Sequence, residues 1–354
     1  MMTVLWRTSV WRAGMIAAND VSAPYSAMSD SFRQPPVHLA PCLRSTTRHT
    51  AALLLCLLYA LLAAELLWAQ SDGVEYAQSA PESPALLSSS AAGNAQISRS
   101  GAATHSIQMV VPPGTSGMAP QLSLAYTSQS HENGFLGLGW SLNGLPRIER
   151  CAATIATDGF RGAINYDAND RFCLDGARLI ATAGVYGGDN TEYRTEIDSG
   201  VRVVSKGTVV GGSGPSYFTL RAKTGEVVEF GNSPDSRIEA QSKASIRVWT
   251  INKQQDTSGN YFTVKYLEEN ENGDYRPDQI DYSGNTGSTP NRSVKFIYEN
   301  ANVRPSTDVA PLYIGGSVVK SMRRLLSVQT YVAGSLVKDY RLSYEISSAT
   351  KRSR

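Results

Sequence analysis

Residues that could do chemistry are sparse in this 354-residue sequence. Gly137-Leu138-Gly139-Trp140 carries two glycines of a phosphate-cradling loop. The third glycine is replaced by Leu142 and no helical pattern follows, so the dinucleotide fingerprint fails. The glycines read as a tight turn that inserts Trp140 into a core. Glu268-Glu269-Asn270-Glu271-Asn272-Gly273 has part of a calcium-loop pattern. Such a loop opens on Asp and closes on Glu, whereas here the ends are Glu268 and Gln279 and Pro277 intervenes. A solvated hairpin turn fits better. His105 and His131 are the only histidines beyond residue 69, and no Gly-x-Ser-x-Gly elbow accompanies them. They read as turn or strand-end residues. Asp158, Asp167, Asp170 and Asp175 lack metal-ligand spacing and read as turn caps. No catalytic residue, metal site or cofactor is assigned.

Export changes the reading of the two remaining cysteines. Ala51–Ala64 is an unbroken apolar run, preceded by Arg44 and Arg48 and followed, after Glu65 and Leu66-Leu67-Trp68-Ala69, by polar Gln70-Ser71-Asp72-Gly73. A basic flank, a short apolar core and a small residue before a polar start form a secretory signal. Residues 51–69 are therefore expected to be a signal helix. Residues 1–50 are expected to be a poorly ordered extension, with Met28 the better start. Cys56 lacks the small preceding residue of a lipidation site. Cys151 and Cys173 are the only cysteines after the leader. In an exported chain such a pair favours a disulfide; in a cytosolic one it would be two buried thiols. The bridge would contribute roughly 3 kcal/mol on a chain-entropy model.

Composition narrows the partners. Formal net charge is +2, and residues 1–69 hold five arginines against three acidic residues, so the rest is neutral. That balance excludes a basic nucleic-acid footprint. Membrane contact is expected only through the signal segment. Residues 70–97, rich in Ser, Ala, Gln and Pro, read as a flexible spacer.

From residue 104 the pattern has period two. Ile107, Met109 and Val111 alternate with polar neighbours, Pro112-Pro113-Gly114 breaks the run, and Leu122, Leu124 and Tyr126 resume it. This is a strand pair. Glycine and Asn-Gly punctuation recurs and helical stripes are nearly absent, so the body is expected to be all-β, in antiparallel hairpins. Asp256-Thr257-Ser258-Gly259-Asn260 repeats as Asp281-Tyr282-Ser283-Gly284-Asn285, each copy followed by an aromatic strand. Both copies are expected to be hairpin turns, with Gly259 and Gly284 at positive φ. A later pair, Leu326-Val328-Thr330 with Leu336-Lys338-Tyr340, turns at Val332–Ser335.

The stretch 108–176 resembles the N-terminal domain of SpvB-type proteins, which also opens the B component of insecticidal toxin complexes and many Rhs/YD-repeat secreted proteins. The matching elements are Pro112-Pro113-Gly114, Gly117-Met118-Ala119-Pro120, Leu122–Tyr126, Gly137-Leu138-Gly139-Trp140, Arg150-Cys151 and Arg171-Phe172-Cys173-Leu174-Asp175-Gly176. The resemblance implies a β domain over 98–245 and a YD-like hairpin extension over 246–354, both part of an Rhs-like β-shell. It implies a non-catalytic scaffold of a secreted toxin, a fragment of a larger protein. Its partners would be other parts of an Rhs/Tc-type toxin, or a separate toxin or shell polypeptide. Glu269-Asn270-Glu271 mimics the paired glutamates of ADP-ribosyltransferases, but it sits in a polar turn before the region where such relatives carry their enzyme. An ADP-ribosyltransferase-linked effector, an uncharacterised hydrolase and a surface adhesin are the alternatives.

Overall fold

Alternating runs between glycine turns become strands almost without exception. The computed structural model describes residues 93–300 and 303–354 and the backbone of Met2–Thr3. The chain divides into two units, Met1–Thr8 with Leu87–Arg354, and Ser9–Leu86. The expected extension, signal helix and most of the spacer lie outside the described residues. Within them, the all-β, antiparallel reading holds.

The two-residue β1 (Met2–Thr3) pairs in parallel with Tyr340 and Arg341. A four-stranded sheet follows: β2 (Gly93–Ile97), β3 (Ala103–Met109), β4 (Leu122–Thr127) and β7 (Trp140–Asn143), with the small hairpin β5 (Asn133–Gly134) and β6 (Gly137–Leu138) between the last two. The strand pair read at 104–127 is β3 and β4, with Ile107 opposite Leu124 and Met109 opposite Leu122. The spacer was expected to reach residue 97. Instead Gly93–Ile97 pairs with β3, although every one of its side chains is exposed. Backbone pairing, not apolar burial, orders it, and composition carries no signal for that.

A closed ring of eight antiparallel strands comes next. It comprises β8 (Arg147–Cys151), β9 (Arg171–Leu174), β10 (Ala177–Ala183), β11 (Glu192–Thr195), β12 (Arg202–Lys206), β13 (Tyr217–Arg221), β14 (Val227–Phe230) and, beyond the short β15 (Arg237–Glu239), β16 (Ile246–Gln255). The ten-residue β16 closes it. Its second half pairs with β14, Phe230 opposite Ile251, and its first half pairs with β8, Val248 opposite Glu149. Ring closure removes both sheet edges at once.

The same β16 starts a meander. β17 (Tyr261–Glu269), β18 (Asp274–Gly284) and β19 (Arg292–Tyr298) follow; then, after the hairpin β20 (Leu312–Ile314) and β21 (Ser317–Val319), come β22 (Leu325–Val332) and β23 (Ser335–Arg341). Ile107, Met109, Leu122 and Leu124 of the small sheet share one buried cluster with Phe262, Val264, Ile280, Val294, Phe296 and Val328 of the meander. Two tyrosines stitch the layers. Tyr282 donates its hydroxyl to the carbonyl of Pro112 at 2.9 Å, and Tyr340 to that of Val110 at 3.0 Å. Each ring fills the apolar interior while its hydroxyl satisfies a carbonyl at the rim.

Two expectations need correction here. The boundary drawn at 245/246 falls at the first residue of β16, a strand common to barrel and meander. The four-stranded sheet, moreover, finds its apolar partner in the meander, so 98–245 and 246–354 share one core. Leu326 was read on the face of Val328 and Thr330, but it is exposed and Leu325 is buried instead. A bulge at Ile297/Tyr298 sets Leu325 opposite Tyr298 and shifts the alternation by one residue.

Candidate functional site

The barrel is filled rather than hollow. Phe172, Phe218 and Trp249 meet edge to face with ring centres 5.1–5.4 Å apart. Tyr186 stacks on Phe172, and Tyr193 closes the cluster. Arg150 shares a face of β8 with buried Ile148 and therefore points inward. Its guanidinium donates to Asp170 at 2.9 Å and to the carbonyls of Ile246 and Ser213, and it lies against the Tyr166, Phe172 and Trp249 rings. Asp170 in turn accepts from the amides of Asn165 and Tyr166, both at 2.8 Å. The pair thus ties the 152–170 connection, the 207–216 loop and β16 into one end of the barrel.

Cys151 and Cys173 are joined by a disulfide, Cα–Cα 6.0 Å, across the β8–β9 pair. Arg150 and Phe172 face each other between them. The bridge therefore clamps the two strands that carry the plugging arginine and the central phenylalanine. Asp158, in the single-turn helix α1 (Ile155–Asp158), lies 2.8 Å from Arg171 and 3.3 Å from Arg178. The Arg171 guanidinium is held between the rings of Phe160 and Tyr186. Burial opposes ionisation of Asp158, but the Thr154 amide and the two arginines outweigh it, and its carboxyl stays below the usual range. Asp175 accepts from the Arg147 amide at 2.9 Å in the β9–β10 turn completed by Gly176, and Asp167 from the Asn169 amide. These aspartates cap turns and pair with arginines; no metal-binding group occurs among the described residues.

The glycine motifs shape connections. Pro112-Pro113-Gly114 carries the chain from β3 along β18, where the Thr115 amide donates to Ser283 at 3.1 Å. A Cβ on Gly114 would lie 1.7 Å from the Met118 carbonyl oxygen, which requires glycine there. Gly117, Gly137 and Gly139 take positive φ. Trp140, expected in the core, is half-buried at the sandwich rim, 5.1 Å from Tyr126 and edge-on to His105. Tyr126 sits between Trp140 and His105 in register, so the motif ends one aromatic row of the sheet.

The repeated pentapeptides diverge. Asp256–Asn260 is the β16–β17 turn, with Gly259 at φ 82° and the Asp256 carboxylate accepting from the Ser258 and Asn260 amides. The second copy is not a turn. Asp281 and Gly284 lie within β18, and the reversal comes later, at Asn285–Ser288, with Gly287 at φ 88°. Gly284 is required for another reason: a Cβ there would meet the Tyr261 ring at 2.4 Å. Asn285 donates to Asn260 at 2.7 Å and to the Ser258 carbonyl, so the copies stack although their turns differ.

Three polar assemblies gave no clear sequence signal. At the β17–β18 hairpin, Glu269 accepts from Arg276 at 2.7 Å and Arg323 at 2.8 Å, so the expected solvated turn is an ion-paired one. Glu271 is exposed in the turn Asn270–Asn272, while Glu269 is committed to the two arginines. Burial, with Glu239 and Asp235 nearby, pushes Glu268 up to about 7; burial also raises Asp274 to about 7 against the pull of Arg276. Glu299 and Arg324 form a buried bidentate pair at 2.6 and 2.9 Å. Arg304 and Asp308 pair at 2.8 Å with both side chains fully buried. Each assembly joins segments distant in sequence: Glu269 reaches Arg323, Glu299 reaches Arg324, and Asp308 reaches Asn133 and Ser353.

A filled barrel sharing a strand with a meander, and a small sheet closing the meander's inner face, is a distinctive arrangement. Residues 97–313 match the SpvB family, described as Salmonella virulence plasmid 65kDa B protein. The chain belongs to the SpvB family. The structure of the N-terminal domain of the effector SpvB from Salmonella typhimurium strain LT2 superposes with a TM-score of 0.52 at 21% identity, covering 68% of this chain and 93% of that one. The TcdB2-TccC3-TEV structure gives a TM-score of 0.60 at 18% identity, covering 78% of this chain and 16% of that one. For the Photorhabdus luminescens Tc holotoxin pore the values are 0.55 and 18%, covering 69% and 14%. This member of the SpvB family thus has the fold of the SpvB N-terminal domain, and it spans about one-sixth of the TcdB2-TccC3 chains or less. No curated protein sequence matches it.

Proposed function

We propose that this SpvB-family chain is a non-catalytic scaffold domain of a secreted toxin, which packages or presents a toxic segment carried by other parts of an Rhs/Tc-type assembly. The observation that carries the reading is how the buried polar groups are used. Arg150, Asp170, Arg304, Asp308, Glu299 and Arg324 each bind another segment of the same chain. Buried charge that ties segments together gives a rigid wall. The proposal includes export: the 51–69 segment supplies the signal, and the Cys151–Cys173 bridge suits an oxidising compartment. Enclosure and docking through sheet edges, rather than turnover, would be the mechanism.

The test is to mix the purified full chain with a TcdB2-TccC3 protein lacking its matching segment, and separately with actin and labelled NAD. Co-elution on size exclusion without label transfer supports a scaffold. Transfer of label to actin, with no co-elution, overturns it in favour of an ADP-ribosyltransferase. Saturable glycan or cell binding without co-elution would overturn it in favour of an adhesin.

A further inference from the structure

Asp308 is a fully buried carboxylate with four side-chain hydrogen bonds, and half of them come from one residue. Oδ2 accepts from Arg304 Nε at 2.8 Å and from the Ser353 hydroxyl at 2.7 Å. Oδ1 accepts from Asn133 Nδ2 at 3.1 Å and from the Ser353 amide at 2.7 Å. Arg304 is committed on its other side to the carbonyls of Gly134 and Ser321 and to Asn133 Oδ1. Burial opposes ionisation of Asp308, but the donors, Ser353 foremost, hold its carboxyl below the usual range. Without Ser353 the site keeps a desolvated carboxylate with two acceptor positions empty, which strongly disfavours vacancy.

The receiving wall is shaped for backbone. The Leu138 amide donates to the Ser353 carbonyl at 2.8 Å, and a Cβ on Gly137 would stand 2.8 Å from that same oxygen. The flanking residues have places too. Arg352 donates to the Thr307 carbonyl at 3.0 Å, and Arg354 lines a cleft with Leu136, Trp140, Leu342 and Tyr344. The segment that delivers them is a self-paired hairpin: Glu345 and Arg354 exchange main-chain hydrogen bonds, and the Ser347 amide donates to the Arg352 carbonyl. Its side-chain and main-chain contacts to the body converge on these three residues.

We propose that the pocket formed by Asn133, Gly137, Arg304 and Asp308 is a docking site for an extended segment bearing a serine, filled here in cis by Arg352-Ser353-Arg354, and that its occupancy is separable from folding of barrel and sandwich. The pocket reads one residue that offers a main-chain N–H and a hydroxyl together.

The test uses the full chain carrying Ser353→Trp, whose indole cannot enter a site with no exposed surface, and a fluorescein-labelled peptide of residues 346–354. Saturable binding to S353W, at least about tenfold weaker binding to the unaltered chain, and at least about tenfold weakening when the peptide serine becomes alanine are expected, since tenfold corresponds to about 1.4 kcal/mol and one hydrogen bond to a charged carboxylate is worth at least that. A folded S353W chain that ignores the peptide, or binds the alanine peptide equally, overturns the proposal. Should S353W fail to fold, amide exchange on the unaltered chain decides. The Leu138 amide is then expected to exchange together with residues 345–354 well before the barrel amides, and exchange in step with the barrel overturns separability.

Discussion

Asn285 donates its side-chain amide to the side-chain oxygen of Asn260, 2.7 Å away and 25 residues earlier. Asn260 passes the chain of contacts on to Asp256 at 2.7 Å. Two strand ends of the meander are thereby joined by side chains just beyond the Tyr261–Gly284 backbone pairing. Asn260→Ala and Asn285→Ala should each destabilise the chain by about 1 kcal/mol, and the double variant by less than the sum. Urea midpoints of the four proteins check this; full additivity would mean the pair is uncoupled.

Gly284 and Gly259 should respond differently to alanine although they occupy equivalent places in the repeat. At Gly259 a Cβ meets only the Thr286 hydroxyl closely, at 3.2 Å, and the main cost is the positive φ, on the order of 1 kcal/mol. At Gly284 the new methyl collides with the Tyr261 ring, and overpacking costs roughly 1–3 kcal/mol. Tyr261→Ala should restore much of the loss in Gly284→Ala and none of that in Gly259→Ala, read as urea midpoints.

That contrast marks where the sequence stops being legible. Strand positions in β17 and in the second half of β3 follow from two-residue alternation, because one face of each is buried. The pentapeptide repeat was equally visible, but its meaning was not: a turn is fixed by local φ, whereas the Gly284 requirement is set by a ring on the neighbouring strand. Ring closure at β16 was hidden for the same reason, since a strand of ten alternating or buried residues looks alike whether it has one set of partners or two. Leu326 failed because it is itself the extra residue of a bulge in β22, set against the consecutive β19 residues Ile297 and Tyr298. Arg304, Asp308 and Ser353 stand in loops without period, and only the folded chain brings them together.

Arg150 and Asp170 should be the least replaceable pair in the barrel. Asp170→Asn or Arg150→Ala leaves its partner charged and buried, a loss of roughly 3–5 kcal/mol. Arg150→Met with Asp170→Asn should be milder than either single change, because no buried charge is stranded. Thermal unfolding of the set, with the near-ultraviolet circular dichroism of the Trp249 cluster as a second readout, checks it.

Reducing the Cys151–Cys173 bridge should lower stability by about 2–4 kcal/mol without dissolving the barrel, because the bridge joins strands already paired and constrains mainly the unfolded chain. Denaturation with and without reductant, alongside the Cys151→Ser/Cys173→Ser variant, measures it. Coincident curves would show that the bridge contributes nothing.

The raised carboxyls of the β17–β18 hairpin give the chain a stability that falls with rising pH. Glu268 and Asp274 bind protons more tightly folded, at about 7, than unfolded, so between the ordinary carboxylate range and pH 7 the native state holds protons the unfolded state has released. Stability from these groups is greatest at the acid end of that window, declines across it, and is level above pH 7. Carboxyls held low, Asp158, Glu269 and Asp308, act in the opposite sense and lose their contribution only as the pH falls through their own lowered range. The two classes separate by mutation. Glu268→Gln removes a charge that faces Glu239 and Asp235 with one buried oxygen unpaired, and only Arg237 opposes the repulsion. It should therefore raise the urea midpoint at pH 8 and leave it nearly unchanged at pH 5. An equal shift at both pH values would mean that Glu268 titrates as an ordinary surface carboxyl.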